Sequence, residues 1–253
     1  MDDRTLKELE LLGVVQLYRG KESPAPAKVA AAGLVAEPRP AKAGAGPAAP
    51  LASARKEAPP SVAALDSLGW DDLRSAAASC RNCELCGTRK QAVFGVGNEQ
   101  APWLFVGEGP GADEDEKGEP FVGQAGKLLD AMLAAAGLKR GREVYIANVV
   151  KCRPPGNRVP KPEEAAACAP FLDRQVALIK PKLIVALGKT AAVRLTGNEG
   201  ALGAMRGKMH NYRGIPLVIT YHPAYLIRNP PDKSKAWDDL LFAKRTMAEL
   251  DRT

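Results

Sequence analysis

The stretch Trp103-Leu104-Phe105-Val106-Gly107-Glu108-Gly109-Pro110-Gly111 decides the fold. Its first four residues are an unbroken apolar run stopped by a glycine, the pattern of a strand buried on both faces. The glycines that follow suggest a backbone held in conformations other residues avoid, so that main-chain amides can approach a ligand closely. Working outward, Leu128, Leu129, Met132, Leu133 and Ala136 recur at helical spacing and end at Gly137. Residues 144–150 form a second apolar run, 183–187 a third and 217–220 a fourth. Between them Pro162-Glu163-Glu164 opens a helix running through Leu172, Val176 and Ile179, with proline in the first turn and acids at the positive helix end. A last helix spans 238–250. Strands alternating with helices predict an α/β fold, a parallel sheet covered on both faces.

In such sheets ligands bind beyond the carboxyl ends of the strands, and the polar motifs sit there. Gly107–Gly111 follows the first strand, Asn148 and Lys151-Cys152-Arg153 close the second, and His222-Pro223-Ala224-Tyr225 follows the fourth. The glycine loop is not a dinucleotide fingerprint, because position 112 is alanine, and Gly188-Lys189-Thr190 is not a P-loop, because the upstream glycine is replaced by Leu183. Phe121, between turn residues, is either a core anchor or a flat stacking partner for a base. The acidic run Asp113-Glu114-Asp115-Glu116 is either a solvated loop or part of a pocket wall. His222, one of two histidines, is either structural or a donor to developing negative charge; its place beside Asn148 and the glycine loop favours the donor.

Cys80 and Cys83 form a CxxC, and fifteen residues separate Cys152 from Cys168. The wide second gap is not the tight second knuckle of a zinc ribbon, which favours an iron–sulfur centre over zinc. Cys86, the fifth cysteine, extends the first pair to CxxCxxC and competes as a ligand.

The formal charge of +7 suits a polyanionic partner or simply a solvated basic surface. No apolar run is long enough to span a bilayer and the N-terminus lacks a signal-peptide pattern, so a cytoplasmic location is expected. The proline- and alanine-rich residues 21–66 read as a disordered linker. They join an expected amphipathic helix over 1–20, either a docking element for a protein partner or an inert tail, to one compact domain over 67–253.

Taken in order, CxxCxL, VFGVGN, GEGPGADEDEKGEPFVGQAGKLLD, NVVKCRPPGNRVP and HPAYLIRNP resemble the family 4 uracil-DNA glycosylases over about residues 79–250. The resemblance implies a three-layer α/β/α sandwich with a central four-stranded parallel sheet. It also implies a structural 4Fe-4S cluster on Cys80, Cys83, Cys152 and Cys168, with Cys86 spare. The implied reaction is hydrolysis of the N-glycosidic bond of deoxyuridine in DNA by a monomer, which starts base-excision repair. By the same resemblance Phe121 stacks on the extruded base, Asn148 reads its edge beside Gly109, and His222 stabilises the departing anion. Glu108 orients the water with Asn157 as a helper, and Leu226, Ile227 and Arg228 engage DNA. The family 1 enzymes have an aspartate where Gly109 stands, so this loop has no obvious general base. A rival reading is a protein that binds uracil-DNA or senses redox state through the cluster without turnover.

Overall fold

The computed structural model describes residues 65–252; the expected N-terminal helix and all but the last residues of the expected linker lie outside them. Helix α1 (Trp70–Ser79) leads into the cysteine segment and is followed by a short edge strand, β1 (Val96–Gly97). The central strands are β2 (Trp103–Gly107), β3 (Val144–Asn148) and β4 (Leu183–Leu187). Between β2 and β3 come α2 (Ala112–Lys117) and α3 (Gln124–Ala135), and between β3 and β4 comes α4 (Pro162–Ile179). Then follow α5 (Lys189–Thr196), α6 (Leu202–Met205), β5 (His210–Tyr212), β6 (Ile215–Thr220), α7 (Pro223–Arg228) and α8 (Lys233–Leu250).

The sheet has six strands among the described residues, in the order β1-β3-β2-β4-β6-β5. Its four central strands, β3, β2, β4 and β6, run parallel as expected. The two extra strands are edge strands paired antiparallel with β3 and β6. Two and three residues long, they carry too little periodic signal to be read from the chain.

Alternation along the strands builds two cores. Leu104 and Val106 of β2 face one side with Ile184, Ala186 and Ile219, beneath α1, α4 and α5. Trp103 and Phe105 face the other with Val144, Val185 and Val218, beneath α3 and α8. The period of two sends each strand's side chains to both layers, which is why all the central strands read as continuous apolar runs. Leu65, 1% exposed, already belongs to the first core, so the packed domain reaches two residues ahead of the boundary expected at 67. Strand β3 ends at Asn148, earlier than the apolar pattern through Val150 suggests. There the chain turns across the strand ends, with Val149 and Val150 donating backbone hydrogen bonds to the carbonyls of Gly107 and Glu108.

Candidate active site at the strand ends

A cleft of about 540 Å³ opens at the carboxyl ends of the parallel strands. Glu108, Gly109, Phe121, Asn148, Asn157, His222 and Arg228 all line it. The placement follows from topology: parallel strands end on the same edge, so residues far apart in sequence converge there.

Asn148, the last residue of β3, is 2% exposed, and its Oδ1 is buried with no hydrogen-bond partner. A buried amide oxygen without a partner costs roughly 1–3 kcal/mol, which makes this atom the best marker of a ligand position in the cleft. Gly107 provides the room. A β-carbon there would run into Asn148 Oδ1 and stand 2.6 Å from the Phe121 ring. Phe121 is 6% exposed and packs into the second core, so the anchor and the cleft wall are one residue. Its backbone has φ +57°, an unfavourable left-handed conformation for an aromatic residue. Two contacts hold it. Arg140 donates to the carbonyls of Pro120 and Phe121, each at 2.8 Å, and Gly126 leaves space for the Phe121 carbonyl that any β-carbon would occupy.

His222 caps α7. Its Nδ1 accepts the Ala224 backbone N–H at 3.1 Å, which in the neutral ring leaves the proton on Nε2. Its ring centroid lies 5.4 Å from that of Phe121. Part of the residue opens to the cleft, yet the ring itself is closely surrounded, and burial lowers its pKa to about 4, assisted by the charge of Arg228. The imidazole is therefore neutral near pH 7. Gly188, at φ +90°, lets the chain pass close to the His222 β-carbon.

The acidic run divides by direction. Glu114 accepts backbone hydrogen bonds from Gly111, Val122 and Gly123 at 2.9–3.0 Å, tying the glycine loop to the Phe121 turn. Asp115, 2% exposed, accepts from the backbone of Lys90 and Gln91. Half of the apparent charge run is thus internal scaffolding; the clue in the chain was the spacing of Glu114 three residues after Gly111, the reach of a capping carboxylate.

Glu108 accepts a hydrogen bond from the Thr190 hydroxyl, a partner with no sequence signal because it arrives from α5. Asn157 is exposed on the rim, and its Oδ1 accepts from Arg153 Nε at 2.8 Å. The rim loop is stapled by Glu164, which receives both terminal nitrogens of Arg158 at 2.8 and 2.6 Å and the Lys161 backbone N–H at 2.7 Å. Arg158 is the main cause that holds the Glu164 carboxyl down to about 2. In α7, Ile227 is 44% exposed and Arg228 is exposed, but Leu226 is fully buried. Of the three residues expected to face DNA, Leu226 instead points inward, because helical geometry turns adjacent residues about a hundred degrees apart.

All five cysteines carry free thiols and line one small cavity beside the first core, together with Arg89 and Lys151. Arg89 donates to Cys152 Sγ at 2.8 Å, and the Lys151 backbone N–H donates to Cys168 Sγ at 3.3 Å. Burial raises the thiol pKa values of Cys83 and Cys152, and that of Cys168 to about 12. Sulfurs so buried become thiolates only against a positive partner. Among the described residues, no three His, Cys, Asp or Glu side chains close on a single-ion point. The donor set, all thiols with N–H···S support from Arg89 and Lys151, suits a thiolate-ligated centre.

A parallel sheet whose carboxyl edge presents a buried unpartnered amide, an aromatic ring and a neutral imidazole defines an α/β protein with a ligand-sized cleft at its strand ends. The model of the uracil DNA glycosylase superfamily matches residues 94–241, more than half of the chain. A type-4 uracil-DNA glycosylase of Archaeoglobus fulgidus is 46% identical over 168 residues, 63% of this chain and 84% of that protein. One from Thermotoga maritima is 49% identical over 152 residues, 59% of this chain and 79% of its own length. A type-5 uracil-DNA glycosylase of Thermus thermophilus is more distant, 33% identical over 153 residues, 51% of this chain and 68% of that protein. The chain belongs to the type-4 branch of the uracil DNA glycosylase superfamily.

Proposed function

We propose that this chain is a hydrolase of DNA repair that excises uracil from DNA by cleaving the N-glycosidic bond of deoxyuridine, leaving an abasic site. The observation that carries the site assignment is the partnerless Oδ1 of Asn148, buried in the cleft that Phe121 and His222 share. Uracil offers an N3–H donor to that oxygen and an O4 acceptor to the amide nitrogen. Cytosine reverses both, leaving donor against donor and acceptor against acceptor. A base inside a duplex is out of reach, so the nucleotide leaves the stack and Phe121 takes over the stacking that is lost.

As the bond from C1′ to N1 breaks, its electron pair passes to the uracil ring and charge gathers on O2. The His222 Nε2–H is the donor for that oxygen, and a neutral, preoriented donor whose ring is largely enclosed stabilises developing charge with little reorganisation. Water completes the reaction by bonding to C1′, and the proton it gives up neutralises the departing uracil anion. Glu108, held by the Thr190 hydroxyl, orients it. Asn157 acts from the rim, while Gly109 keeps the loop close to the base. Ile227 is the apolar tip that fills the gap left by the extruded nucleotide, Leu226 anchors it from below, and Arg228 contacts phosphate.

Cys80, Cys83, Cys152 and Cys168 would hold a 4Fe-4S cluster. Such a cluster supplies cross-linking and not redox chemistry here, since the hydrolysis moves no electrons. Its support is the shared cavity and the hydrogen bonds to Cys152 and Cys168 Sγ. Among the described residues no helix is long and apolar enough to cross a membrane, and five free cysteines suit a reducing cytoplasm. We take the active species to be a monomer, with residues 1–20 available to a protein partner.

The test is release of free uracil from a uracil-containing oligonucleotide, with Asn148→Ala and His222→Ala as variants. Release that both variants lose supports the enzyme. Tight retention of uracil-DNA without release supports a binding protein instead.

A further inference from the structure

One buried charged group has no part in the chemistry above. Lys151 is 1% exposed, among the largest fully enclosed side chains of the described residues. Lysine is almost never buried so fully without a paired role, because desolvating an ammonium is expensive. Its position is specific. Nζ donates to the backbone carbonyl of Asn148 at 2.9 Å and to Gln175 Oε1 at 2.6 Å. Gln175, itself 0% exposed, passes the tie on through Nε2 to the Phe94 carbonyl at 2.9 Å. At its other end the same residue belongs to the cysteine cavity: Lys151 lines it, and the Lys151 backbone N–H donates to Cys168 Sγ. One residue therefore bonds both to the peptide of the base-reading amide and to a cysteine of the centre.

We infer that Lys151 is a positioning residue that couples assembly of the cysteine centre to the placement of Asn148, and so to uracil affinity. This rests on the reading of Asn148 as the uracil reader. An ammonium can give three hydrogen bonds, and two of them here go to buried carbonyl oxygens. Loss of the centre frees residues 151 and 152 to shift, and the Asn148 carbonyl shifts with them. The amide at the cleft then leaves its reading register, although no cysteine touches the base.

The experiment uses the full chain, purified with its centre intact, and free uracil as the probe. Uracil binding is measured by calorimetry on wild type and on Lys151→Met, which keeps length and removes the donors. Each protein is measured before and after the centre is stripped with a chelator and oxidant, with iron and sulfide content and circular dichroism recorded throughout. Stripping the folded wild type is expected to weaken uracil about tenfold, the factor that corresponds to roughly one hydrogen bond. Loaded Lys151→Met is expected to start about tenfold weaker and to lose little more on stripping, with its visible spectrum retained. Lys151→Arg, which restores charge and donors, should recover part of the affinity. If Lys151→Met fails to fold, Gln175→Met decides, since it removes the other acceptor of the ammonium and should shrink the effect of stripping. Wild-type affinity in loaded Lys151→Met, or an equal loss on stripping in wild type and in the folded variant, overturns the coupling. A wild-type chain that releases no uracil from the oligonucleotide overturns the glycosylase reading instead, so the two failures are distinct.

Discussion

Keeping His222 neutral in the folded chain makes folding sensitive to acid in a defined window. The imidazole falls from 6.5 to about 4, chiefly through burial with the charge of Arg228 adding to it. Between those values the unfolded chain binds a proton that the folded chain does not, so acid favours unfolding. The penalty is absent above about pH 6.5 and complete near pH 4. At about 1.36 kcal/mol per pKa unit the full gap corresponds to about 3 kcal/mol, of which about 2 kcal/mol develops between pH 7 and pH 5. Glu164, held at about 2 from an ordinary 4.5, loses its contribution only as the pH falls from 4.5 toward 2, below the interval from pH 7 to pH 5. The assay is urea unfolding of wild type and His222→Gln at pH 7 and pH 5. Replacing the ring also removes the cap on Ala224, but that loss is present at both pH values and cancels in the difference. Wild type should lose about 2 kcal/mol more than the variant on acidification. Equal losses would refute the buried neutral imidazole and, with it, the assignment of Nε2–H as the neutral donor.

Asn148→Ala should lower kcat/KM for uracil release by about 30- to 1000-fold, the factor for roughly 2–4 kcal/mol of lost edge recognition, in a steady-state oligonucleotide assay. Gly107→Ala should cost about 1–3 kcal/mol in chemical unfolding and abolish most activity, since its β-carbon displaces both Asn148 Oδ1 and the Phe121 ring. Ile227→Ala should slow excision from duplex DNA several-fold more than from single strands, because only a duplex leaves a gap to fill; equal slowing on both would count against the tip role. If Cys80, Cys83, Cys152 and Cys168 hold the proposed cluster, its removal by chelation should lower the thermal midpoint by several degrees, read by circular dichroism, because the two cysteine pairs are then no longer tied together.

The fold was legible wherever burial wrote a periodic or continuous pattern. The runs at 103–106, 183–187 and 217–220 and the proline-led helix from 162 match the structure closely because each is long enough to carry its own signal. The edge strands and α5 were not legible. Two or three residues carry no period, and α5 lies behind Gly188-Lys189-Thr190, a string whose one obvious reading is a P-loop that the chain does not have. Within the candidate site, Asn148 and His222 could be selected from their places after strands and Phe121 from its place between turn residues, but Thr190 beside Glu108 and Arg140 beneath Phe121 could not. They meet through packing across elements and not through spacing. The inward turn of Leu226 against the outward turn of Ile227 is likewise a matter of helix phase relative to α3, which the string HPAYLIRNP does not contain.

By itself the chain determined the chemistry available: which residues are apolar in runs, which glycines stop them, and which amide, imidazole, aromatic and thiol side chains stand just past the stops. Those are local properties, written residue by residue. Tertiary structure alone decided that Asn148 Oδ1 goes without a partner, that the His222 ring is buried enough to stay neutral, and that Lys151 lines the cysteine cavity while its Nζ holds the Asn148 carbonyl. Desolvation and unmet hydrogen bonds are properties of an enclosure, and an enclosure exists only once strands from four separate stretches of sequence lie side by side.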